Sequence, residues 1–241
     1  MAYKKPVLTE ILVEAHLRSA SLEQSAFFEI VPALKSLGFT DVELSEAGYT
    51  IEIDPSDDEP KPRAKPRVRC WRPDRQALIQ VSEDLVVTNL TGPYPGWDHF
   101  RQLFQMAGEA VERSLSSVAY ESLRLIAIDK FEVPRDGFTL GKYLQAGGKF
   151  IPHWYADADE PLDITLGRGF LQQQGKNRII KIKVRTQDAV ATVLMQSYFH
   201  NRLSPDADVL AVLEELHDES TSTFEALITD TLRIDVMGGV K

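Results

Sequence analysis

Alternating apolar and polar residues mark several segments of this chain as strands. In the first half, β-compatible residues predict a strand at 8–17, where a helix is the alternative, and loose alternation predicts one strand or two at 42–53, with a turn at Gly48. Three further strands at 67–72, 77–81 and 85–90 are separated by turn residues, as in an antiparallel meander. Apolar residues at helical spacing predict a helix from about residue 22 to Gly38 and a second helix over 97–115. Residues 54–66 carry four prolines and blocks of opposite charge, which predicts a solvated loop.

The second half repeats this order of elements. It shows a long strand pattern at 120–133, a short helix or turn at 139–144, three strand patterns at 162–172, 178–185 and 189–199, and a helical pattern over 206–234. Each half therefore reads strand, helix, three strands, helix, which suggests a diverged internal duplication with units at 1–118 and 119–241.

The repeated order predicts an α+β fold. We expect two tandem strand-helix-three-strand-helix units that form a curved antiparallel sheet backed by helices, within one continuous compact domain. The alternative is a helix-grip fold, in which the sheet holds the long C-terminal helix around an apolar pocket.

The sequence TGPYPGWDHF (91–100) lies between the third strand of the first meander and its helix. Pro93, Pro95 and Gly96 provide the fixed and permissive backbone angles that such a reversal needs. Trp97 begins the apolar stripe of the helix, so its ring is predicted to attach the corner to the core. The alternative is a ligand that stacks on this tryptophan.

The net charge of −9 is unevenly distributed. Residues 61–75 and 176–185 hold 12 of the 27 basic residues and a single acid, Asp74. Within them, alternation with core positions places five bases on the side of the strands that faces away from the core: Arg67, Arg69, Lys181, Lys183 and Arg185. These five are the predicted partner-binding residues, and a solvated sheet face is the alternative.

No familiar catalytic or cofactor motif stands out. Gly147-Gly148-Lys149-Phe150 lacks the spacing and the Ser or Thr of a phosphate loop, and the five histidines never show a two-ligand helical spacing. Asp157, Asp159, Glu160 and Asp163 fit a solvated acidic loop better than a cation site. We therefore predict no catalytic, cofactor-binding or metal-binding residues, and a non-enzymatic protein is favoured over an enzyme.

The single cysteine, Cys70, excludes an internal disulfide, and its arginine neighbours leave either an inert buried thiol or a reactive one open. The absence of a long apolar run argues against a membrane segment, so the sequence predicts a cytoplasmic protein.

Four segments carry a resemblance to a known family: YKKP (3–6), QVSEDLVVTN (80–89), PYPGWDHF (93–100) and FEALITDTLR (224–233). Over nearly its full length the chain resembles a sporadically distributed bacterial family without an established function. The family's Tyr-x-Asn element after the first long helix is replaced here by Ile126, Ala127 and Ile128. The resemblance implies an accessory gene, as in defence or toxin-antitoxin systems.

The sequence thus predicts a recognition protein that uses its basic sheet face or its helices to bind a macromolecular partner, either another protein or a second copy of itself. The alternative function is an enzyme or sensor that binds an anionic small molecule, such as a nucleotide, on the basic strands. Nucleic-acid binding is the third possibility, and the acidic net charge disfavours it because phosphates are repelled at long range.

Overall fold

The computed structural model describes residues 3–18, 24–46, 50–52, 61–63, 66–114, 118–147, 150–170 and 175–239. Its centre is a nine-stranded antiparallel sheet, and a separate two-stranded ribbon is formed by β3 (Thr50–Glu52) and β4 (Lys61–Arg63). The α+β class with an antiparallel sheet is confirmed. The nine strands are β1 (Leu8–Leu17), β2 (Asp41–Glu46), β5 (Pro66–Trp71), β6 (Ala77–Ser82), β7 (Leu85–Thr91), β8 (Tyr120–Pro134), β9 (Leu162–Phe170), β10 (Lys176–Gln187) and β11 (Val190–Arg202).

The strands are ordered β2-β5-β6-β7-β1-β8-β11-β10-β9 across the sheet. The first strands of the two halves, β1 and β8, therefore lie side by side at its centre. From that centre the order runs β1, β7, β6, β5 on one side and β8, β11, β10, β9 on the other, so the two meanders extend in opposite directions from a shared middle.

The described helices pack on one side of the sheet, which we call the helix side. They are α1 (Gln24–Ser36), α2 (Trp97–Ser114), the single turn α3 (Leu140–Tyr143) and α4 (Val209–Leu227). On the helix side α1 packs on β5, α2 on β7, and α4 on both β8 and β11. In the described part of the chain, no helix combines the length and apolarity needed to cross a membrane.

Two apolar clusters form the core on the helix side. The first lies under α1 and α2 and includes Ile11, Leu125 and Phe100, which are at most 3% exposed. The second lies under α3 and the end of α4 and includes Phe131, Ile182 and Leu227. The clusters meet along the central strands, where the inward positions between Leu125 and Phe131 are Ala127 and Asp129.

Two sequence predictions need correction. The C-terminal helix does not run unbroken over 206–234, because α4 ends at Leu227 and Ile228 forms an isolated bridge to Leu144. A five-residue π-helical segment, Leu232–Val236, follows the break. The predicted loop 54–66 lies largely outside the described residues, and its described part includes the short strand β4, paired with β3.

Candidate functional site

The five predicted partner-binding bases all point to the side of the sheet opposite the helices, which we call the open side. On β5, Arg67 and Arg69 alternate with the core residues Val68 and Cys70. On β10, Lys181, Lys183 and Arg185 alternate with inward residues in the same way. The structure brings the five together only as two groups, because β5 and β10 lie six strand spacings apart, about 29 Å at roughly 4.8 Å per spacing.

The group on β10 belongs to a larger basic surface. The cross-strand register places Arg124, Lys130 and Arg202 of the neighbouring strands on the same side, with Glu132 and Asp163 as the described acids of this half. Six bases against two acids give this half of the open side a charge of +4, on a chain whose net charge is −9. We define the basic surface by its bases: Arg124, Lys130, Lys181, Lys183, Arg185 and Arg202.

Apolar side chains lie among these bases. Ile128, Ile179, Leu194 and Tyr198 point to the open side and are all partly exposed. The ammonium of Lys181 lies 5.2 Å from the centre of the Tyr198 ring, and Lys183 is 3.2 Å from the Asp163 carboxylate. The basic surface is therefore a mixture of cations and apolar groups.

The other predicted group has a more acidic setting. Arg69 donates a hydrogen bond to Gln80, and its cross-strand neighbour on the outer side is Glu43. Towards the sheet centre the open side carries Glu10 and Glu14 of β1. These acids separate the β5 bases from the basic surface.

A charge cluster at the sheet centre borders the basic surface. Arg124 donates to the Glu14 carboxylate at 3.0 Å, and His16 lies 3.9 Å from the same carboxylate. Burial acts to raise the pKa of Glu14, but His16 and the Arg124 guanidinium outweigh it, so that pKa lies below its usual value. Burial and the surrounding cations lower the pKa of His200. Glu14 is thus held ionised against Arg124.

The single cysteine is not a reactive site. Cys70 points to the helix side and is fully buried. Burial raises the pKa of its thiol to about 11, so the arginines beside it in sequence do not generate a thiolate at neutral pH.

In the corner at 91–100, Trp97 has a structural role, and the residues just before it line a cavity. Trp97 packs against the first core cluster as predicted, stacks on His217 of α4 at 3.7 Å between ring centres, and donates from Nε1 to Glu214 at 2.7 Å. It therefore fastens the corner to α4. Tyr94, Pro95 and Gly96 line a cavity that the sequence did not predict.

This cavity lies on the helix side, where the two core clusters meet. Its volume is about 700 Å³, and it opens to the surface between the corner, the N-terminal segment, α4 and the inward faces of β1 and β8, which line it. Most of its wall is apolar, with Val7, Ile11 and Phe224 among the residues that form it. We call it the Asp129 cavity, after the carboxyl that lines it.

Asp129 is only 6% exposed, yet among the described residues nothing hydrogen-bonds or forms an ion pair with its carboxyl. Burial raises the pKa of this carboxyl to about 7. Sequence reasoning missed it, although the signal was present: Asp129 occurs in phase with Leu125, Ala127 and Phe131, which are the inward residues of β8.

A second cavity, of about 670 Å³, lies against another face of the same stretch of α4 and is lined by Arg178 of β10. Arg178 is 8% exposed and points to the helix side, so it is not part of the basic surface. Its guanidinium contacts Glu219 of α4, the amide oxygen of Asn201 at 3.0 Å and the carbonyl of His200 at 2.7 Å. This cation is extensively paired.

Among the described residues, no group of three or more His, Cys, Asp or Glu side chains is placed so that it could hold a metal ion. No protein-family model matches this sequence, and no curated protein matches it significantly.

Proposed function

We propose that this protein is a non-enzymatic recognition protein that binds an acidic macromolecular partner, a protein, on the basic surface of the open side. The observation that carries the proposal is the +4 charge of that surface on a chain of net charge −9. Complementary charge of this kind steers association and selects partners of opposite sign.

The apolar groups among the bases favour a protein over other anions. Protein interfaces combine aromatic and aliphatic contacts with arginines and a polar rim, and Tyr198, Leu194 and Ile128 would supply the apolar part here. A nucleotide-like small molecule is the alternative, since the same cations would hold its phosphates. The acidic remainder of the chain disfavours a long nucleic acid.

The proposal includes an internal duplication of the fold. Its support is the matching strand order outwards from β1 and β8, in which the first strand of each half lies at the centre and the meander follows in reverse chain order. The halves have diverged most in their first helices, because α1 has 13 residues and α3 has four. If the fold is duplicated, the basic surface of the second unit corresponds to the acidic open side of the first unit.

The proposed setting is a bacterial cytoplasm. The resemblance of the YKKP, PYPGW and FEALITDTLR segments to a sporadically distributed bacterial family supports an accessory role, such as defence or a toxin-antitoxin system. A second copy of this chain is one protein partner that fits, because the rest of the chain is acidic.

The test neutralises Lys181, Lys183 and Arg185 together, each to Gln. Exposed charges contribute about 1 kcal/mol or less each, so the variant should melt within a few degrees of wild type. Wild type and variant are then used to capture partners from lysate at low and moderate salt. We expect an acidic protein on wild type, and its loss from the triple variant.

The matched control neutralises three bases of the helices, Lys35, Arg113 and Lys142, which gives the same net charge and should retain the partner. A bound nucleotide would favour the alternative function, and recovered nucleic acid the third. Sedimentation of both variants shows whether the partner is a second copy. Identical capture by wild type and the β10 variant would overturn the proposal.

A further inference from the structure

We propose that the Asp129 cavity is a binding site for an apolar organic cation, an ammonium group on an aliphatic or aromatic body. The site is separate from the basic surface, since it lies on the helix side of the sheet. Three observations carry the inference: an unpartnered buried carboxyl, an apolar cavity of ligand size, and a lining that offers acids and aromatic rings to a cation.

The first observation is the isolation of the carboxyl. A buried polar group costs free energy unless it finds a partner, and natural cores place such groups in pairs or networks. Asp129 is 6% exposed and, within the described residues, neither donor nor cation reaches it. A ligand that brings a cationic donor would supply the partner that the fold leaves out.

The second observation is the size and polarity of the cavity. Small-molecule sites have volumes of roughly 300–1,000 Å³, mostly apolar walls and a few converging polar groups. The Asp129 cavity has about 700 Å³, and Leu125, Phe224 and Met237 contribute to its walls. An aliphatic or aromatic body fits these walls, while the charged end reaches the carboxyl.

The third observation is the sign of the lining charges. No lysine or arginine lines the cavity in the described part of the chain, and its two acids are Asp129 and Glu225. Glu225 is already paired with Arg233 at 3.0 Å and accepts a hydrogen bond from the Tyr3 hydroxyl at 2.6 Å. Asp129 therefore remains as the acid available to a ligand, and its ionised form would repel an anion.

Two further groups suit an ammonium ligand. The Tyr94 hydroxyl is buried without a hydrogen-bond partner among the described residues, and Tyr94 is one of the residues that line the cavity. Phe224 lines it as well, and aromatic faces attract cations within about 6 Å. The lining therefore offers a cationic ligand aromatic groups in addition to the carboxyl.

Binding should depend on pH through Asp129, because an ammonium ion pairs with the ionised carboxyl. With a pKa of about 7, Asp129 is largely ionised at pH 8 and largely protonated at pH 5. The expected affinity is constant above about pH 8 and falls about tenfold per pH unit below about pH 6.

The other titratable groups around the cavity lie on three elements. On α4, burial lowers the pKa of His217, so its imidazole is neutral at pH 7 to 8, and Glu225 is paired with Arg233. Burial raises the pKa of Tyr94 at the corner and of Tyr3 in the N-terminal segment, so both phenols stay neutral as well. Above the lowered pKa of His217 and up to pH 8, Asp129 alone among these groups changes charge.

The test measures binding of three probes of similar shape by calorimetry at pH 8: cyclohexylammonium, cyclohexanol and cyclohexanecarboxylate. Phenethylammonium extends the series to a larger body. Wild type should bind the ammonium probes at least tenfold more tightly than the alcohol, and the carboxylate least. Asp129→Asn should lose that tenfold preference for ammonium and bind the alcohol as wild type does.

The control is Asp136→Asn, which removes the same charge from an exposed turn after β8 and should leave every affinity unchanged. Because the three-probe comparison and the pH profile use wild type alone, they remain decisive even if a variant folds poorly. The proposal is wrong if ammonium and alcohol bind equally, if the carboxylate binds best, or if no ammonium probe binds at millimolar concentration.

Discussion

Two regions beneath α4 each bury one charged residue and treat it in opposite ways. Arg178 of β10 is surrounded by Glu219, the Asn201 amide and the His200 carbonyl. Asp129 of β8 lines a cavity of similar volume without such a partner in the described part of the chain. Burial alone therefore does not distinguish the two charged residues, whereas the missing partner of the carboxyl does.

The cause of the difference lies in the sequence of α4. Over β10 the helix presents Glu219, whereas towards Asp129 it presents Ser220, Thr221 and Phe224, none of which carries a positive charge. The same helix therefore supplies an ion-pair partner to Arg178 and none to Asp129. Substitutions at the two residues should separate a structural charge from a ligand-binding one.

The largest effect is expected at Asp129. Burial raises its pKa from 3.8 to about 7, so its contribution to stability is present below about pH 4 and lost as the pH rises through 7. The loss is about 4 kcal/mol at roughly 1.4 kcal/mol per pKa unit. Asp129→Asn should therefore be more stable than wild type at pH 8 and similar to it at pH 4, in urea denaturation at both pH values. Parallel pH profiles for the two proteins would contradict this account of the carboxyl.

A loss of about 3 kcal/mol is expected for Arg178→Ala, because Asn201 and the His200 carbonyl lose their donor and the contact with the Phe199 ring is lost. Lys176→Ala is the matched control. Lys176 pairs with Glu215 of the same helix but is more exposed, so its loss should cost less than about 1 kcal/mol. Chemical denaturation measures both, and equal losses would show that Arg178 behaves as a surface pair.

A smaller effect, about 2 to 3 kcal/mol, is expected for Trp97→Ala, since this ring is only partly buried. Trp97→Phe should cost about 1 kcal/mol, because it removes the hydrogen bond to Glu214 and retains part of the stacking on His217. His99→Ala, an exposed position on the same helix, is the control in thermal melts. Should Trp97→Ala melt like wild type but lose the ammonium probe, the corner would be part of the binding site.

Much of the sheet was predictable because its strands are encoded locally. The alternation over 8–17 and over the three strands of each meander reports which residues face the core, and the structure has strands there. The end of α4 was not predictable in this way. Leu227 accepts a hydrogen bond from the Gln145 backbone and Thr229 donates to the Tyr143 carbonyl, so the break depends on a segment distant in sequence.

The two candidate sites also differ in how far local sequence pattern could predict them. The alternation of buried and exposed positions along β10 was sufficient to place Lys181 and Lys183 on the open side. The same alternation places Arg178 on the helix side, so a count of the bases in this segment alone would wrongly include it in the basic surface. The in-phase Asp129 was visible as an anomaly. Its cavity was not, because Val7, Tyr94 and Phe224 come from three distant segments and meet only in the folded chain.

The central position of β1 also has a consequence for the order of folding. Val13 pairs with Thr88 on one side and with Leu125 on the other, and the Glu14–Arg124 ion pair joins residues 110 positions apart. Local hairpins such as β6–β7 and β10–β11 close short loops, whereas the middle of the sheet must close long ones, which is slow. On a ribosome, β1 waits for its second neighbour until β8 has been synthesised, so the halves join late, and the Asp129 cavity is completed only when α4 follows.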